Sequence, residues 1–206
     1  MATAWGASVA VEVRDPQGAM LTDAVVYAAP EGKDVPPSSR TAVMDQKNKT
    51  FVPRVLPVQV GTSVKFPNSD DIQHQVYSFS PAKTFQLPLY KGTPSNPILF
   101  STPGVVTLGC NIHDKMNAFI VILGTPYFEK TEAAGRVEIR SLPAGKYTIH
   151  VWHPDMAEEP AAQSIVINEN ERAELSFTVT PAPAALTSAP LNKLEDKFKK
   201  YGNGRP

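Results

Sequence analysis

Val105-Val106-Thr107-Leu108-Gly109-Cys110-Asn111-Ile112-His113-Asp114-Lys115-Met116 runs from an apolar strand straight into a Cys-x2-His-x2-Met turn. Cys110 is the only cysteine in 206 residues, so it forms no internal disulfide and acts as a thiol, a thiolate or a metal ligand. A lone cysteine is usually a buried small hydrophobe. What sets this one apart is a histidine and a methionine at short offsets from it, in a chain with only four histidines and five methionines. A strand that ends at Cys110 and turns tightly to His113 and Met116 brings three donors to one point. A fourth arrives from Phe66-Pro67-Asn68-Ser69-Asp70-Asp71-Ile72-Gln73-His74-Gln75-Val76, which ends one strand, turns, and starts another at His74.

Two imidazoles, one thiolate and one thioether form an unusual donor set. Zinc accepts the first three but gains little from a thioether, and its structural sites take four thiolate or imidazole ligands. Copper suits the set better. Two histidines and a cysteine with a weak methionine bond serve Cu(I) and Cu(II) almost equally, so the ion changes charge with little rearrangement, as a fast electron carrier requires.

Working outward, Val9, Val11 and Val13 alternate with polar or small neighbours before the turn Asp15-Pro16-Gln17-Gly18 and an apolar segment over 24–28. Further short strands are expected at 41–44, 55–60, 63–66, 74–79, 98–100, 105–109 and 118–123, then at 136–140, 146–152, 163–168 and 173–179. Turn residues stand between most of them. Twenty prolines argue against a helical body, and many short strands at close spacing indicate an all-β protein with two sandwiches or barrels. The segment 181–206 reads as a Pro/Ala linker followed by a short basic amphipathic helix, with Leu191, Leu194, Phe198 and Tyr201 at helical spacing.

Twenty basic residues balance twenty acidic ones, which gives no reason to expect nucleic acid or an anionic membrane as partner. The longest strongly apolar run, 119–123, is far short of the roughly 20 residues that cross a bilayer, so no membrane span is expected. The first residues, Met-Ala-Thr-Ala-Trp-Gly-Ala-Ser, have neither the basic start nor the apolar stretch of a signal peptide. A processed exported chain and a cytosolic one would both look like this.

From Ala42 to Gly124, through Phe51-Val52-Pro53, Val60-Gly61-Thr62-Ser63-Val64 and the Cys110 loop, the chain resembles the cupredoxins, the small blue copper Greek-key β-barrels, with the ligand-loop spacing of amicyanin. That resemblance implies one type 1 copper held by His74, Cys110, His113 and Met116. It also implies an electron port at His113, with Ile112, Phe119 or Pro126 supplying apolar surface. Gln75 departs from the asparagine that often follows the first histidine, which leaves Asn68 or Asn111 to brace the loop. The flanks, Ser8 to Ala28 and Thr131 to Ile149, resemble the carboxypeptidase regulatory-like module, a transthyretin-like β-sandwich. The expected organisation is therefore a cupredoxin domain at 43–124 inserted into a discontinuous sandwich at 7–42 and 125–180.

The whole arrangement is similar to bacterial periplasmic proteins labelled methylamine utilization proteins. It implies a periplasmic electron carrier, exported and lacking its signal peptide here, with redox proteins as partners: a dehydrogenase, a c-type cytochrome or an oxidase. A copper-sensing or Cu(I)-delivery module docking a protein partner is the alternative. An enzyme with Cys110 as nucleophile lacks a third orienting group or an oxyanion feature. His150, His153 and Met156 repeat the spacing of a ligand motif, but strand alternation points the two histidines apart, and a histidine satisfied by hydrogen bonds at a strand end is the commoner outcome.

Overall fold

A computed structural model describes residues 6–94, 96–113 and 115–182. The strands in chain order are β1 (Ala7–Arg14), β2 (Val25–Pro30), β3 (Thr41–Val43), β4 (Asp45–Lys47), β5 (Thr50–Val52), β6 (Val55–Gln59), β7 (Thr62–Lys65), β8 (His74–Ser80) and β9 (Lys83–Tyr90), followed by β10 (Ile98–Phe100), β11 (Gly104–Gly109), β12 (Asn117–Leu123), β13 (Phe128–Lys130), β14 (Arg136–Leu142), β15 (Gly145–Trp152), β16 (Gln163–Ile167) and β17 (Arg172–Thr178). The protein is all-β, and among the described residues no helix is long and apolar enough to cross a membrane. The helix expected near the carboxyl end falls within 183–206, outside the described residues.

The strands sort into two groups, each with its own core. In the first, the sheet β14-β1-β17 faces the sheet β13-β2-β15-β16. Alternation decides which side chains meet between them: Val9, Val11 and Val13 from β1 pack with Tyr147, Ile149 and Val151 from β15, all at most 2% exposed. Thr131 ties the start of β2 to the return from the second group, accepting the Ala24 amide at 3.0 Å and donating to the Leu21 carbonyl at 2.7 Å.

The second group is built from the sheets β6-β12-β11-β8-β9 and β10-β7-β3, with the hairpin β4-β5 closing one end. Its core includes Phe66, Val76, Phe100, Val106, Leu108, Ile120 and Ile122. Thr41 and Ala42, expected in the sandwich segment 7–42, pair with Ser63 and Val64 of β7, so their backbone groups are satisfied in the barrel's sheet. Gly61, at φ 90°, makes the sharp turn from β6 to β7 where the connection from β2 crosses; a Cβ there would lie 2.4 Å from the Ser38 carbonyl.

Candidate metal centre

Strand parity aims the donors. Val106 and Leu108 of β11 point into the barrel core, and Cys110, two residues on, continues that row at 2% exposure. His74, Val76 and Ser78 of β8 form the neighbouring row on the same face of the sheet, each fully buried. Between β11 and β12 the chain makes successive tight turns, with the His113 amide 3.5 Å from the Cys110 carbonyl and the Met116 amide donating to the His113 carbonyl at 2.9 Å. The antiparallel register from Gly104↔Ile122 to Gly109↔Asn117 runs right up to this loop and anchors both its ends.

The ligand atoms of His74, Cys110 and His113 all lie within 4.8 Å of one another. Cys110 Sγ is 4.0 Å from His74 Nδ1, and the two imidazole rings sit 5.0 Å apart at 58°. Metal bonds of about 2.3 Å to sulfur and about 2.0 Å to nitrogen would span such a separation. His113 Nδ1 is buried without a hydrogen-bond partner, one of only two such side-chain atoms among the described residues. A buried imidazole nitrogen left unpaired is costly, and a metal ion is a partner that would satisfy it. Met116 is 2% exposed in the same core cluster as Cys110.

Polar groups surround His74. Its Nε2 stands 2.8 Å from Asp70 Oδ2, and Asp70 also accepts the Asn48 amide at 2.6 Å and the Lys49 amide at 2.8 Å. These contacts, the Lys49 amide first and the His74 ring after it, hold the Asp70 carboxyl down at about 2. Asn68 braces the same loop, donating to the Ile72 carbonyl at 2.9 Å and the Tyr90 carbonyl at 2.8 Å while accepting the Asp70 amide at 3.0 Å. Burial pushes the Tyr90 hydroxyl up to about 12, so it stays protonated and donates to the Phe66 carbonyl at 2.7 Å. Gln46, wholly buried, donates to the Tyr90 hydroxyl and leaves its own Oε1 unpaired. Asp70, Gln46 and Tyr90 escape the sequence reading; the only signal for Asp70 is its position four residues before His74.

The remaining expected residues lie elsewhere. His153 is satisfied at both nitrogens, with Nε2 3.0 Å from the Thr22 carbonyl and Nδ1 accepting the Asp155 amide at 3.2 Å. His150 stacks on Tyr27 with ring centroids 4.9 Å apart and faces Glu159 at 3.4 Å. Among the described residues neither joins a metal-sized cluster. Phe119 packs on Trp152 between the two groups of strands, and Pro126 lies on the connection back to the sandwich; Ile112, 48% exposed, is the one expected apolar residue that sits in the ligand loop.

Fold and site together define an all-β protein with a largely buried cluster of two imidazoles and a cysteine sulfur at one end of a barrel. No family profile matches the sequence, and no curated protein does. Among solved structures the chain is similar to a copper-containing nitrite reductase from Thermus scotoductus SA-01, at 24% identity and TM-score 0.38 over 47% of this chain and 25% of that one. It is also similar to a purple cupredoxin from Nitrosopumilus maritimus, at 20% identity and TM-score 0.35 over 40% of this chain and 99% of that one. A reduced amicyanin variant gives 18% identity and TM-score 0.38 over 48% of this chain and 98% of that one. The chain thus spans only a quarter of the nitrite reductase's length.

Proposed function

We propose that this protein is a periplasmic type 1 copper electron carrier, not an enzyme, whose single copper is held by His74, Cys110, His113 and Met116. The carrying observation is the donor cluster, in which the ligand atoms of His74, Cys110 and His113 lie within 4.8 Å of one another and His113 holds an unpaired, buried Nδ1. Two imidazoles and a thiolate with a weak thioether form the donor set of one-electron copper sites. Copper bound there would accept and release single electrons.

The chain's own residues would do the rest. His74 opens β8 and Cys110 directly follows β11, the strand paired with it, so the two keep their spacing whichever charge the site carries. Their burial, with that of Met116, excludes water and suits retention of an ion more than its surrender to an acceptor. His113 is only partly buried, and beside exposed Ile112 it offers a contact for redox partners such as a dehydrogenase, a c-type cytochrome or an oxidase. The barrel, at 43–124 with β3 added, would be a cupredoxin domain inserted into a transthyretin-like sandwich.

The test is titration of the metal-free protein with Cu(II). One equivalent should produce an intense visible band, and Cys110→Ala should abolish it; a wild type without the band refutes the proposal. Met116→Gln should keep the band yet lower the reduction potential by some tens of millivolts, where about 59 mV is a tenfold change in a one-electron equilibrium. An unchanged potential would remove Met116 from the ligand set.

A further inference from the structure

Asp70 lies on the connection from β7 to β8, and three nitrogens converge on its carboxylate. Two are the Asn48 and Lys49 amides of the turn between β4 and β5, at φ 55° and 57°. Successive amides in such turns form a concavity that holds an anion. The third nitrogen is His74 Nε2, at 2.8 Å. Asn68 fixes the loop from the other side by accepting the Asp70 amide. The carboxylate is therefore anchored independently of the ring that it meets, and His74, wholly buried, has no water as an alternative partner.

A neutral imidazole has one donor and one acceptor nitrogen, and the hydrogen bond made by one decides which the other is. An ionised carboxylate only accepts. Nε2 therefore carries the proton, and the lone pair remains on Nδ1, the nitrogen that faces the Cys110 sulfur at 4.0 Å. We infer that Asp70 is a positioning residue of the metal centre: it holds His74 as the Nε2–H tautomer, fixes the ring toward Cys110, and couples it to the β4-β5 turn, a segment without a ligand of its own. The inference rests on the copper reading of the site for its electronic consequence but not for the tautomer. A carboxylate partner raises the basicity of the imidazole. Cu(II) is then favoured over Cu(I) relative to a neutral partner.

Two measurements test this. In the isotope-labelled, metal-free wild type, imidazole nitrogen NMR at a pH where the ring is seen to be neutral should find His74 protonated at Nε2, bare at Nδ1 and slow to exchange; a neutral ring with its proton on Nδ1 overturns the inference whatever becomes of copper. In the copper-loaded protein, Asp70→Asn should keep the visible band, bind metal roughly tenfold more weakly, and shift the one-electron equilibrium about tenfold toward Cu(I), a rise of about 59 mV. Asp70→Glu, which restores the charge, should recover part of that shift. An unchanged potential and affinity in Asp70→Asn overturns the coupling to the metal and leaves the copper proposal standing. A wild type that takes up no copper overturns the copper proposal, and the tautomer measurement alone then decides the positioning role.

Discussion

Gly109 is the residue on which Cys110 depends most directly. It is the one β11 position in register with β8, opposite Tyr77, and a Cβ there would lie 2.6 Å from both Cζ and Oη of that ring. Both are parts of a rigid, buried side chain, so neither can swing aside. Gly109→Ala should destabilise the fold by about 1–3 kcal/mol through overpacking, read as a lower denaturation midpoint, and should alter the visible spectrum because the displaced residue is next to Cys110. His153 poses a different problem at the same scale. Its Nδ1 accepts an amide and its Nε2 faces a carbonyl, so protonating it would set two donors against each other. Burial pushes its pKa below the ordinary 6.5. A histidine whose folded pKa is depressed binds fewer protons folded than unfolded, so its contribution is complete above pH 6.5 and declines as pH falls below it. The thermal midpoint should therefore fall on acidification from about pH 7 to pH 5, and less steeply in His153→Gln.

Among the elements, β12 explains the longest apolar run in the sequence. Ala118, Ile120 and Ile122 face the barrel core, while Val121 and Leu123 face Val25 and Val55 in a separate cluster between the two groups of strands. A strand buried on both faces needs no polar alternation, which is why the 119–123 run carries no period. Ile120→Ala should cost about 2–5 kcal/mol, and Val121→Ala, on what would be the wet face of an ordinary sheet, about 2 kcal/mol; chemical denaturation measures both. Most strands were legible because turn residues bracket alternating apolar ones. β9 was not, although Phe85 and Leu87 alternate with Thr84 and Gln86, because Pro88 argues against a strand; β9 pairs only with β8, and an edge tolerates proline. The β4-β5 hairpin was hidden because each strand has three residues and its turn is Asn48-Lys49, without the glycine that usually marks two positive φ values. Asp70 stayed hidden with it: an aspartate in a turn is the commonplace case. His74, Cys110 and His113 stood out because their residue types are rare in this chain and carry chemistry.

At the scale of the whole molecule, the two groups of strands meet through Val25, Val55, Val121 and Leu123, all at most 6% exposed, with Phe119 against Trp152 at 5.5 Å. Arg54 spans the edge of this contact, its guanidinium 6.0 Å from the Phe119 ring centroid and 3.2 Å from Asp155. The hydrogen bonds that brace the candidate centre come from elsewhere: Asn48, Lys49, Asn68 and Asp70 all belong to the barrel, as do His74, Cys110 and His113. Excision should therefore separate two properties that the intact chain combines. Residues 41–124 expressed alone should keep their metal binding, since every described polar brace of His74 travels with them, yet the outer face of β6 and β12 would be left bare. An apolar face of this kind favours association of the folded fragment. Sedimentation of the excised barrel should show concentration-dependent self-association that Phe119→Ser combined with Val121→Thr suppresses, with the visible band unchanged. A barrel that folds, stays monomeric and loses the band would instead mean that the sandwich contributes to the centre, and the braces identified around His74 would not be sufficient to hold it.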